Sequence, residues 1–130
     1  MRQFPTIDSV HEMLEKIADE IPPDFFKNLN GGVILVEQAK VHHETKSDYP
    51  LYIMGEYHRS VIGRQIIIYY GSFKKAYGGL SERRLYEKLK DTLLHEFTHH
   101  LENMAGERDL EIKDAQRMNA YRKIKSSYRE

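Results

Sequence analysis

Apolar residues along the chain fall into two helical stripes and two strand-like runs, and these predict the elements of the fold. Val10, Met13, Leu14, Ile17, Ala18 and Ile21 recur at helical spacing, which predicts a helix from about Asp8 to Glu20, stopped by Pro22-Pro23. Asp24 to Leu29 reads as a short helical turn, broken by Asn30-Gly31-Gly32. Val33 to Glu37 is a short apolar run with β-branched residues and reads as a buried strand. Gln38 to Pro50 is polar, and its adjacent His42-His43 reads as part of a solvated loop. Leu51 to Tyr57 predicts a strand that bends at Gly55, and Arg64 to Tyr70 gives the strongest strand signal in the chain, ended by Gly71. Ser72 to Leu80 reads as a connector with a turn of helix. Ser81 is a good N-cap for a long helix reaching about Ala105, with Gly106 suited to a left-handed C-terminal cap. A last helix is expected from about Arg108 to Tyr128.

Composition narrows the choice of function. At 130 residues the chain suffices for one domain, spanning 1–130, with a modest core. Formal charge is zero and pI is 7.1, so no global field favours nucleic acid or an anionic membrane. Cysteine is absent, which excludes a disulfide framework, a thiolate zinc site and a cysteine nucleophile. No run approaches the length of a membrane span and the first residues have no apolar signal core, so a cytoplasmic protein is expected.

The long helix carries Leu93-Leu94-His95-Glu96-Phe97-Thr98-His99-His100, which contains H-E-x-x-H. Two histidines four apart stand one above the other on a helix, so both imidazoles can reach one Zn²⁺, and the intervening glutamate can accept a proton from water. With seven histidines in 130 residues, chance gives roughly 0.04 such matches, so placement has to support the motif. Measured from Leu85, the residues Leu89, Leu93, Leu94, Phe97, Leu101 and Met104 lie on an arc between about 40° and 180°. His95 and His99 fall at about 280° and 320°, off that arc, with Glu96 at its border near about 20°. His100 falls within the apolar arc and reads as a structural histidine with a hydrogen-bond partner. A catalytic zinc site takes a third protein ligand, and Glu102, Glu107, Asp109, Glu111 and Asp114 are the candidates. Asp109 is favoured because a chain reversing after Gly106 would bring it back to the histidines, and Glu102 could instead hold an imidazole N–H.

These residues resemble the small, single-domain bacterial zincin-like metallopeptidases, a minimal form of the zincin fold. The resemblance runs from about Ile7 through Pro22-Pro23, Val33 to Glu37, Gly55-Glu56-Tyr57 and Ile66 to Tyr69, to the motif with its doubled His99-His100. It implies an α+β domain: a small mixed sheet packed on the N-terminal helix and the motif helix, followed by a C-terminal helix. It further implies a zinc-dependent peptidase acting on a peptide or protein substrate, with a sheet edge near the metal able to take the peptide as an added strand. His95 and His99 match the metal ligands and Glu96 the general base. The family usually continues H-H-x-G-x-x-D, whereas here Gly106-Glu107-Arg108-Asp109 comes four residues late, about one extra turn. Asp109 is the match for the acidic ligand, with Glu107 and Glu111 beside it. Strand Gln65 to Tyr70 is expected to hold the peptide; Tyr69, Tyr70 or Tyr121 could face an oxyanion, but core packing is the reading preferred for each and none is named as catalytic. The competing reading is a non-catalytic zinc-binding or protein-interaction domain that keeps the fold. No nucleic-acid or membrane partner is expected, and a monomer is the default.

Overall fold

The computed structural model describes residues 3–43 and 50–106. The helix expected after Arg108 lies outside them, and so do Glu107, Asp109, Glu111 and Asp114. Helix α1 spans Ile7–Glu20 and buries Val10, Leu14 and Ile17, the stripe its periodicity predicts. Thr6 caps it, its side-chain oxygen accepting from the Ser9 N–H at 3.2 Å. After the proline stop, one 3₁₀ turn at Pro23–Phe26 buries Phe25.

Five strands follow. β1 is Gly32–Val36, β2 Lys40–Val41, β3 Tyr52–Ile53, β4 Gly55–Ser60 and β5 Gly63–Tyr69. β1, β5 and β4 form a three-stranded mixed sheet in that order, with β5 central, parallel to β1 and antiparallel to β4. β2 and β3 pair separately as a short antiparallel ribbon. The expected strand Leu51–Tyr57 is therefore two strands in two different sheets, divided at Met54, whose carbonyl accepts from the Tyr69 N–H at 2.9 Å. Part of the expected loop, Lys40–Val41, is the ribbon's other strand.

β5 ends at Tyr69, within a residue of the stop expected before Gly71, and helix α2, Tyr70–Tyr77, starts directly from it. That glycine answers a close approach: a Cβ there would stand 2.5 Å from the Ala39 nitrogen. Helix α3 spans Glu82–Ala105 and is capped by Ser81, whose hydroxyl accepts from the Arg84 N–H at 3.3 Å. The fold is α+β, with three helices and a small mixed sheet among the described residues. Its core lies between α1, α3 and the inner face of the sheet, where Ile17, Ile66, Ile68, Leu89, Leu93 and Phe97 are fully buried. No helix among the described residues is long and apolar enough to cross a membrane.

Two polar networks fasten the layers. His100 has no exposed surface. Its Nε2 lies 2.8 Å from the Lys27 carbonyl and its Nδ1 2.8 Å from the Tyr57 hydroxyl. A carbonyl only accepts, so Nε2 carries the hydrogen and Nδ1 accepts from Tyr57. Burial pushes the imidazole below its ordinary pKa and the nearby Arg64 charge acts the same way, against the opposing pull of the Lys27 carbonyl. His100 is thus the structural histidine its place on the apolar arc predicts.

On the other face of β4, Lys40 Nζ donates to both Glu56 oxygens at 2.8 Å, and the Tyr69 hydroxyl donates to Oε1 at 2.6 Å. His58 Nε2 lies 3.0 Å from the same oxygen. Partial burial opposes ionisation of Glu56, but the hydrogen bonds from Lys40, Tyr69 and His58 together outweigh it and hold the carboxyl at about 2.

Tyr57→Phe removes the donor to the buried His100 Nδ1 and should lower unfolding free energy by about 1–3 kcal/mol in urea. Unchanged stability would show that this hydrogen bond does not fasten α3. Glu56 has a folded pKa below its ordinary 4.5, so its stabilisation is present above about pH 4.5 and is lost as pH falls towards about 2. Wild type should exceed Glu56→Gln by on the order of 1–2 kcal/mol at neutral pH, a figure that allows for solvent screening around Lys40. That margin should shrink across this acid window in urea titrations; a margin independent of pH would disprove the ionic tie.

Candidate metal centre

Helix α3 presents the motif as a consequence of its packing. Leu85, Leu89, Leu93, Leu94 and Phe97 are buried, which turns the opposite side of the helix towards a groove along β4. His95 is half-buried and His99 exposed on that side. Their Nε2 atoms converge to 3.1 Å, with the rings nearly perpendicular at 87°. Two imidazole nitrogens each about 2.0–2.1 Å from one tetrahedral zinc stand about 3.3 Å apart. The pair therefore fits a shared cation with only a slight opening, and its two neutral nitrogen donors suit zinc. Glu96, between them in sequence, is only 6% exposed, yet it lines the groove beside His95. Its place at the border of the apolar arc is the one its helical angle predicts.

The third ligand candidates divide. Glu102 is exposed and lines the same groove one turn beyond His99. Among the described residues, no group of three or more histidine and carboxylate side chains comes together to hold a metal, so Glu102 does not complete the pair. Asp109, Glu107, Glu111 and Asp114 lie outside the described residues. Gly106 has φ −76° and ψ −11°, a right-handed conformation, so the left-handed cap expected at this glycine does not form. Its N–H is instead shared between the carbonyls of Glu102 at 3.1 Å and Asn103 at 3.2 Å.

The opposite wall of the groove is β4, the edge strand on that side of the sheet. Gln65 to Tyr70, the strand expected to hold a peptide, is not an edge of the sheet. β5 is central, with β1 on one edge and β4 on the other, so its main-chain groups are already used in the sheet. β4 approaches α3 closely at Gly55, where a Cβ would meet Thr92 Cγ2 at 3.0 Å and Ile68 Cδ1 at 3.1 Å. Three groove-lining side chains were given no place at the site by the sequence. His42 lies in a loop as expected, but it is half-buried and lines the groove with His95 and His99, and Glu56 and His58 line the same wall. Nothing local in the sequence marks them, since the ribbon that carries His42 to the groove is held by the long-range tie from Lys40 to Glu56. A further concavity of about 720 Å³, between the Asn28–Asn30 turn and the β4–β5 hairpin, is lined by no histidine or carboxylate among the described residues.

No family model matches the chain, and no curated protein does. Among solved structures it is similar to a conserved hypothetical protein from Thermo thermophilus, with 32% sequence identity and a TM-score of 0.66. The match covers 78% of this chain and 98% of that one. With identity at this level across nearly the whole of the solved protein, the chain belongs to the same family as the Thermo thermophilus protein.

Proposed function

We propose that this protein is a zinc-dependent metallopeptidase with a minimal zincin-like fold. The observation that carries the reading is the 3.1 Å convergence of His95 and His99 Nε2, with Glu96 between them at the wall of a groove. His95 and His99 hold the ion, and Asp109 is the acidic third ligand the sequence offers. When bound, zinc supplies a Lewis acid for the scissile carbonyl and lowers the pKa of water. Glu96 takes the proton of the attacking water and returns one to the leaving amine. The outer edge of β4 supplies main-chain donors and acceptors that orient an extended peptide as an added strand.

Elemental analysis of protein purified without a histidine tag should give about one zinc per chain. The metal should be lost in His99→Ala and weakened in Asp109→Ala. Glu96→Gln should keep the metal and lose at least ~10²-fold in peptide turnover. Turnover retained in that variant would sink the mechanism. Stoichiometric zinc with no turnover of any peptide would leave the non-catalytic zinc-binding domain instead.

A further inference from the structure

The two most exposed large apolar side chains among the described residues stand side by side at one end of the sheet. Val61 is wholly exposed and Ile62 is 90% exposed. They are the turn between β4 and β5, since the last cross-strand pair is Ser60 with Gly63. Turns of this length favour glycine and asparagine, whereas here both positions are branched aliphatics. The turn is clamped from behind. Asn30 Nδ2 donates to the Ile62 carbonyl at 3.2 Å, and its Oδ1 accepts from the Arg64 N–H at 2.9 Å. A Cβ on Gly63 would strike the Asn30 amide, so the glycine is what lets the clamp close. The Ser60 hydroxyl also accepts from the Ile62 N–H at 3.2 Å. The turn's backbone is fixed in this way, so the ordering cost of presenting Val61 and Ile62 is met before any partner arrives.

Positive charge lies just behind this tip. Arg59 and Arg64 stand directly opposite each other on β4 and β5, a like-charge pairing that destabilises a sheet and that an anion would relieve. Arg64 Nε donates to Asn103 Oδ1 at 2.9 Å, which aims its guanidinium. Arg59 has no ion pair among the described residues. Both arginines line the concavity of about 720 Å³, with Ser60, Asn28 and Asn30 and with no carboxylate among the described residues. Each is two residues from the tip, about 7 Å along an extended strand. An apolar segment at a bilayer surface sinks about 5–10 Å into the boundary between headgroups and acyl chains. The arginines therefore reach the lipid phosphates at the depth where the tip reaches the acyl chains.

We propose that the β4–β5 hairpin is a docking site for an anionic phospholipid surface, with Val61 and Ile62 entering the interface and Arg59 and Arg64 binding headgroup phosphates. A free phosphate would use the arginines alone and leave the apolar pair in water. The chain's zero net charge does not oppose this, because attraction to such a surface falls off within a Debye length and is set by the charges nearest it. Arg59 also lines the groove that holds His95 and His99, so docking brings one end of that groove to the bilayer. The inference needs neither zinc nor turnover, and it stands or falls apart from the peptidase reading.

The test is co-sedimentation of the full chain with vesicles of phosphatidylcholine alone, or of phosphatidylcholine and phosphatidylglycerol in equal parts. Wild type should partition onto the mixed vesicles at least ~10-fold better than onto the neutral ones, and high salt should weaken it. Ile62→Ser should lower that partition about tenfold. Arg59→Gln should lower it about fivefold. Both side chains are exposed, so both variants should keep the wild-type thermal midpoint, which separates lost docking from a lost fold. No capture by mixed vesicles, equal capture by neutral ones, or capture untouched by either variant would overturn the inference. Inorganic phosphate is the second arm, followed through the Arg59 and Arg64 amide resonances. Shifts there without vesicle capture would leave a site for a soluble anion and overturn the membrane surface. Dimers that form without vesicles and are lost in Ile62→Ser, again with no vesicle capture, would give the tip to a second copy of the chain and overturn it as well.

Discussion

Helix α3 is held in one rotational setting by the burial of Leu85, Leu89, Leu93 and Phe97, and the direction of the histidine pair follows from that setting. One residue corresponds to about 100° of rotation, so a turn of even half that size would drive His95 or His99 towards the core and bring leucines into water. Burying these side chains contributes about 1.5–3 kcal/mol each, against which no surface hydrogen bond competes. His100 adds a polar constraint to the same stripe. A leucine there would fill similar space but leave the Lys27 carbonyl and the Tyr57 hydroxyl without the partner each has now. Adjacent His99 and His100 thus serve opposite ends: one faces the groove, the other locks the helix that aims it.

The second wall depends on a different periodicity. Along β4 side chains alternate, so Tyr57 reaches α3 while Glu56 turns towards Lys40 and Tyr69. Gly55 stands where strand and motif helix come nearest, and the missing side chain sets their spacing. The ribbon carrying His42 is tied to this wall by Lys40, whose backbone N–H also donates to the Ser72 hydroxyl at 2.9 Å at the start of α2. The proposed site sits on a helix fixed by apolar burial, and the facing strand is fixed by hydrogen bonds.

What could be read from the sequence was what local physics determines. The boundaries of α1 and α3 follow from 3.6-residue periodicity, from the Ser81 cap and from Pro22-Pro23, and they fall within a residue of expectation. The same periodicity placed His95, Glu96, His99 and His100 correctly around α3, because an i, i+4 relation is internal to one helix. Most of the errors depend on segments distant in sequence. Leu51–Tyr57 is divided because its first half pairs with Lys40–Val41 and its second half with β5. β5 does stop just before Gly71, but the glycine's reason is the Ala39 backbone, more than a strand's length away in sequence. Gly106 has the composition of a left-handed cap and stays right-handed, since glycine permits that conformation without requiring it.

Proximity to the histidine pair does not by itself make a carboxylate a ligand, and Glu56 shows why. It lines the same groove as His95 and His99, but its oxygens already accept from Lys40, twice, and from Tyr69, with His58 in contact as well. An ionised carboxylate offers about four lone-pair sites, so Glu56 has little left to give a metal, and giving it would release the ammonium and phenol it satisfies. The histidines present the opposite case. Their Nε2 atoms point at each other, and two lone pairs directed at one point repel unless a proton or a cation lies between them. A proton can satisfy one such pair. A divalent ion would satisfy both and accept further donors, so the proposed zinc site rests on this convergence rather than on the number of acids nearby.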